Sequence, residues 1–145
     1  MDINMANEFP CFSFASEADK FLSMFKNNKD VVFQLRNRHI YKVKFMELIS
    51  SGGLGIEEDG NFFVFLNDLL TDEEMANSLG HELGHTFHFD LSVIPPTVIC
   101  ELSEQNEEEI EKFCDKFSKL WLKQLGQVNK ENIIYRIKNE RQLLF

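Results

Sequence analysis

The sequence predicts an α+β fold: a short mixed sheet, of three strands or more, packed on a capped central helix, a second long helix and a C-terminal helix. Three observations predict it. Runs rich in β-branched and aromatic residues gather between residues 31 and 67, a helix-start signal stands at Thr71, and a long amphipathic pattern fills 105–124. In chain order, Ser16 to about Asn27 reads as a first helix, because Ala18, Phe21, Leu22 and Phe25 share one face. Val31–Leu35 and His39–Leu48 read as strands, with Arg36–Arg38 as the turn between them and Ser50–Gly55 as a flexible break. Asn61–Asn67 is the clearest strand, apolar on both faces and so buried. Thr71-Asp-Glu-Glu74 is a capping box that starts a helix reaching about Phe87. Ile94-Pro95-Pro96 forbids its continuation. A helix over Gln105–Gln124 carries Ile110, Phe113, Phe117, Leu120 and Trp121 as its apolar stripe and stops at Gly126. Asn129 to Leu144 reads as a last amphipathic helix on Ile133, Ile134 and Ile137.

The 145 residues fit one domain, 1–145, with enough chain for a real core and none for a second catalytic domain. Fifteen Phe against two Tyr and one Trp predict a core built on Phe. A net charge of −9 argues against direct nucleic-acid binding, since phosphate contacts need Lys and Arg. Residues 101–111 hold six Glu and no basic residue, whereas Arg136, Lys138 and Arg141 cluster near the end. The acidic stretch reads as a solvated helix start or as a rim that attracts a basic partner. The N-terminus, Met1 to Glu8, lacks the basic and apolar regions of a signal peptide, and no apolar run approaches the ~20 residues that cross a bilayer. Cys11, Cys100 and Cys114 form an odd, unpaired set and read as reduced thiols. A cytoplasmic protein with no membrane contact is the expectation, and its oligomeric state is left open.

His81-Glu82-Leu83-Gly84-His85 carries the chemistry. Residues four apart on a helix share a face, so both imidazoles can bind one tetrahedral Zn²⁺. Glu82, beside the first ligand, is placed to act as a general base. A two-histidine site needs a third protein ligand and an open position. The elongated form of the motif asks for Gly at 88 and His or Asp at 91, but this chain has His88 and Leu91. His88 therefore reads as a substrate-side or supporting residue that rotates away from the ligand face. The next helix offers the better donors. Glu111 is preferred, because Cys114, Asp115 and Ser118 on its side are small or polar and let a helix approach closely; Glu107, one turn earlier, is the alternative. Asp115 is placed to hold a ligating histidine by its free ring nitrogen. A His/His/Glu set also suits manganese or iron. The implied architecture is a minimal zincin-like domain.

Phe62-Phe-Val-Phe-Leu-Asn67, Leu-Thr-Asp-Glu-Glu74, Leu79-Gly-His-Glu-Leu-Gly-His85 and Glu111-Lys-Phe-Cys-Asp-Lys-Phe-Ser118 together resemble the ImmA/IrrE family of metallopeptidases. Cys114 and Ser118 stand where the family motif has two Ala, and Lys119-Leu-Trp-Leu122 replaces its usual Leu-Leu-Met-Pro ending. The resemblance spans about residues 61–122. It implies Glu111 as third zinc ligand and a site-specific endopeptidase acting on a helix-turn-helix transcriptional repressor, of the kind found in phages, mobile elements and stress-response operons. Many family members carry a helix-turn-helix domain of their own; this chain has no basic recognition helix. Three other readings stay open: a non-catalytic zinc-binding interaction module, a zincin toxin or general peptidase with another target, and a structural protein that binds no metal. His88 and Tyr135 are the oxyanion-donor candidates by residue type. The substrate peptide is expected to add along an exposed edge, for which Asn61–Asn67 is the best candidate, although the apolar character of that strand also suits a central position.

Overall fold

The computed structural model describes residues 4–99 and 104–139. A short helix α1 (Met5–Glu8) is capped by Asn4 and tied to the next helix, because the Asp19 carboxylate accepts from the Met5 and Ala6 amides at 2.7 and 2.9 Å. Helix α2 (Phe14–Met24) buries Phe14, Ala15, Ala18 and Phe21, the phase expected from sequence, and starts two residues earlier.

Val31–Leu35 is not a strand. It forms helix α3 (Val31–Asn37), which also absorbs part of the expected turn at Arg36–Arg38. The Asp30 side chain accepts from the Phe33 amide at its start, and Val31 and Leu35, four apart, go into the core. Gln34 is buried beside them and accepts from Trp121 Nε1 at 2.6 Å. His39 then takes φ 63°, ending the helix in the left-handed region.

Strands β1 (Ile40–Met46), β2 (Gly52–Ile56) and β3 (Phe62–Asn67) form one sheet in the order β1-β3-β2, with β1 parallel and β2 antiparallel to β3. β3 is thus the central strand, which corrects the placement of a free edge at Asn61–Asn67. The glycine-rich break is also a strand, and its glycines have a packing reason. Gly53 and Gly55 lie opposite Phe65 and Phe63, whose rings fold flat across β2; a Cβ at either position would stand 2.2 or 2.3 Å from a ring carbon.

Helix α4 (Asp72–His85) opens on the expected capping box, with Thr71 accepting from the Glu74 amide and Glu74 from that of Thr71. A 3₁₀ turn (Thr86–His88) follows, then a two-stranded ribbon of β4 (Phe89–Asp90) and β5 (Thr97–Val98) around the cis Ile94–Pro95 bond. Helix α5 (Glu104–Leu125) ends at Gly126, at φ 87°, before α6 (Gln127–Lys138). Cys100, Arg141 and Leu144 lie outside the described residues. The core joins Ile40, Val43, Phe62, Val64 and Leu66 of the sheet to Leu79 and Leu83 of α4 and to Phe113, Phe117 and Trp121 of α5. Rings of Phe21, Phe87 and Phe117 meet at its centre with centroids 5.1–6.0 Å apart. No described helix is long and apolar enough to cross a membrane.

Candidate metal centre

Two glycines one turn apart let α4 and α5 touch. A Cβ on Gly80 would stand 2.3 Å from Ser118 Oγ, and one on Gly84 would stand 3.1 Å from Cys114 Cα. Ser118 spans the same contact, donating to the Asn77 carbonyl at 2.9 Å. This close approach sets His81 and His85 opposite Glu111 and Asp115. Leu79 and Leu83, on the other side of α4, hold its rotation by burial.

Three donor groups then converge. His81 Nε2 lies 2.7 Å from Glu111 Oε2, His85 Nε2 lies 3.3 Å from Glu111 Oε1, and the two Nε2 atoms are 3.2 Å apart. Donors on a tetrahedral metal with bonds of 2.0–2.1 Å stand about 3.3 Å from one another. Residues of the right chemistry therefore stand at or near ligand spacing, and a small opening between His81 and Glu111 would let the three groups hold an ion. Asp115 Oδ1 is 2.8 Å from His81 Nδ1, the outer-nitrogen contact expected of it. His85 Nδ1 instead faces His88 Nδ1 at 3.4 Å.

Sequence reasoning treated Cys114 as a small packing residue. Its thiol, fully buried behind the histidines, forms with His81 and His85 a group whose donor atoms all lie within 4.8 Å, and this group can hold a metal ion. Burial, then the charges of Glu111, Glu82 and Asp115, hold the thiol well above the usual range. The signal that could have flagged it is a soft donor one helical turn from a candidate ligand.

Glu82 is buried and lines the same cleft as the two histidines. Burial, with help from the Glu111 charge and against that of His81, pushes its carboxyl up to about 7. Burial and then His81 lower His85, with Glu111 opposing, which favours the neutral ring that a metal binds. His88 falls to about 3, by burial and then by His85 and His81, so it is uncharged at neutral pH.

Two cavities share Glu82, His85 and Glu111 as a common wall. An open cleft of about 440 Å³ is polar, lined further by Ser51, Gly52, Asn77, Ser78 and Asp115. A second cavity of about 240 Å³ has apolar walls from Leu54, Phe89, Val98 and Ile110, with His88 inside and Glu107 beside it. Glu107 thus stands at the second cavity, one turn before Glu111, whose carboxylate is the one that reaches both imidazoles. Tyr135 lies on α6, 68% exposed, and lines neither cavity. The outer edge of β2 runs beside both, contributing Gly52 and Leu54. Its glycines make Gly52–Ile56 look like a break in sequence, which hides this wall. No family model, curated protein or solved structure matches this chain.

Proposed function

We propose that this protein is a zinc-dependent endopeptidase that makes a specific cut in a helix-turn-helix transcriptional repressor. The observation that carries the hydrolytic reading is the convergence of His81 Nε2, His85 Nε2 and the Glu111 carboxylate at 2.7–3.3 Å, with the buried Glu82 lining the same cleft. His81, His85 and Glu111 would hold the metal, and Asp115 would orient His81. When bound, zinc supplies Lewis acidity that polarises a carbonyl and acidifies water. Glu82 takes a proton at a carboxylate oxygen during attack and returns it to the departing amine, the role its raised affinity for protons suits.

The peptide is placed by β2 rather than by β3. Among the described strands β2 is an edge of the sheet, and it borders the cleft, so a substrate in extended form can add to it through main-chain hydrogen bonds. One side chain next to the scissile bond then enters the 240 Å³ apolar cavity. The repressor target rests on the motif resemblance, and the acidic character of the chain, −9 overall, suits a basic DNA-binding partner.

One observation favours a second reading. If Cys114 joined His81, His85 and Glu111, four protein donors would close the coordination sphere and leave a structural metal that joins α4 to α5. The test is to incubate zinc-loaded protein with a helix-turn-helix repressor and with an unfolded control protein. A single chelator-sensitive cut in the repressor supports the proposal. Digestion of the control alone indicates a general peptidase, and intact proteins with zinc bound indicate the closed, non-catalytic centre.

A further inference from the structure

We propose that His88 is a positioning residue that holds His85 in the tautomer and orientation a metal requires, and that the 3₁₀ turn after α4 brings it there; this rests on the metal-centre reading above. On a continuing α-helix a residue three positions on is displaced by about 60° around the axis. In a 3₁₀ turn, positions three apart eclipse. The change from α to 3₁₀ at Thr86 thus swings His88 under His85, bringing the ring centroids to 5.3 Å and the two Nδ1 atoms to 3.4 Å.

The turn is held from outside the helix. Arg38 donates from Nε to Thr86 Oγ1 at 3.1 Å and from Nη2 to the Thr86 carbonyl at 3.0 Å, while its guanidinium lies 4.1 Å from the Phe87 ring centroid. Thr86 Oγ1 in turn donates to the Leu83 carbonyl at 2.6 Å. The Ile99 amide donates to the His88 carbonyl at 2.7 Å, and the rings of Phe14 and Phe113 pack on the imidazole with centroids at 4.5 and 5.4 Å. His88 cannot swing away.

Packing alone does not explain an imidazole here. His88 is 3% exposed, and its Nε2 has no partner among the described residues. An unpaired buried polar atom costs roughly 1–3 kcal/mol, a cost Phe or Leu would avoid. The geometry supplies the reason. His85 turns Nε2 towards Glu111 and His81, where a metal would take its lone pair; the proton is then on Nδ1, and the atom facing it is His88 Nδ1. His88 accepts there when its own proton is on Nε2. His81 and His85 are thus oriented by different groups, a carboxylate and a neutral imidazole.

The test begins with the zinc-loaded protein at about pH 8, above the imidazole range, where nitrogen-15 NMR reads both tautomers. Protons on His85 Nδ1 and His88 Nε2 are expected; the reverse pair overturns the proposal. Zinc affinity, measured by chelator competition, is then compared for His88→Phe, which packs but cannot accept, and His88→Asn, whose Oδ1 replaces the Nδ1 acceptor. His88→Phe should lose 10–100-fold and His88→Asn should recover most of it. Equal affinity in the wild type and His88→Phe overturns the proposal. A wild type that takes up no metal overturns the metal-centre reading and this proposal with it, whereas a wild type that binds zinc with the His88 proton on Nδ1 overturns this proposal alone.

Discussion

Replacing Glu82 by Gln leaves the bound metal in place and lowers peptide hydrolysis by roughly 10²–10⁴-fold, the usual contribution of a positioned acid–base group. The substitution keeps size and shape, and Glu82 is not among the three groups whose donor atoms converge, so metal content should match the wild type. What is lost is the carboxylate that takes and returns a proton. The pH profile gives an independent check. Only ionised Glu82 can accept a proton, and burial raises its carboxyl to about 7, so the rate falls as pH drops through that pKa. A bound dication moves the fall to lower pH, because it favours the charged form. Stopped assays across pH on the zinc-loaded protein, with the Gln variant alongside, read both effects. Equal turnover by the Gln variant would remove Glu82 from the chemistry.

Gly84→Val should damage fold and site together. The new Cβ begins 3.1 Å from Cys114 Cα, a backbone atom that no rotamer change can move, and the two γ-carbons need space that α5 occupies. Overpacking of this kind costs roughly 1–3 kcal/mol. The relief is to push α5 outward, and Glu111 and Asp115 move with it. Denaturant melts should show the loss of stability, and chelator competition a fall in zinc affinity of about tenfold or more, since both the ligand and its neighbour are displaced. A Val variant with wild-type affinity would mean that the helix contact does not set the site.

The elements legible in sequence are those whose cause is local. The Thr71–Glu74 capping box, the stop at Gly126 and the stripe from Ile110 to Trp121 each depend on a few neighbouring residues, and each was read correctly. The misread elements depend on distant ones. Five apolar and polar residues at 31–35 carry strand propensity, but the Asp30 cap and the burial of Gln34 against Trp121 make them a helix. Gly52–Ile56 looks like a break until Phe63 and Phe65 lie across it from another strand. Misreading β2 hid the sheet edge beside the cleft and moved the expected substrate edge to the central strand. At the site, the spacing of His81, Glu82 and His85 was plain from sequence, and the motif on α5 pointed to Glu111 and Asp115. His88 and Cys114 were not legible in the same way. Their positions depend on a change of helix type and on the approach of α4 to α5, neither of which a spacing rule contains.

The proposed enzyme depends on one catalytic metal ion held by His81, His85 and Glu111. Elemental analysis of the purified protein, together with Glu111→Ala and Cys114→Ser, tests it most directly. One zinc per chain is expected, lost or strongly weakened in Glu111→Ala and retained in Cys114→Ser. Zinc that survives loss of Glu111 and disappears with Cys114, or a wild type that takes up no metal when zinc is restored, would contradict it.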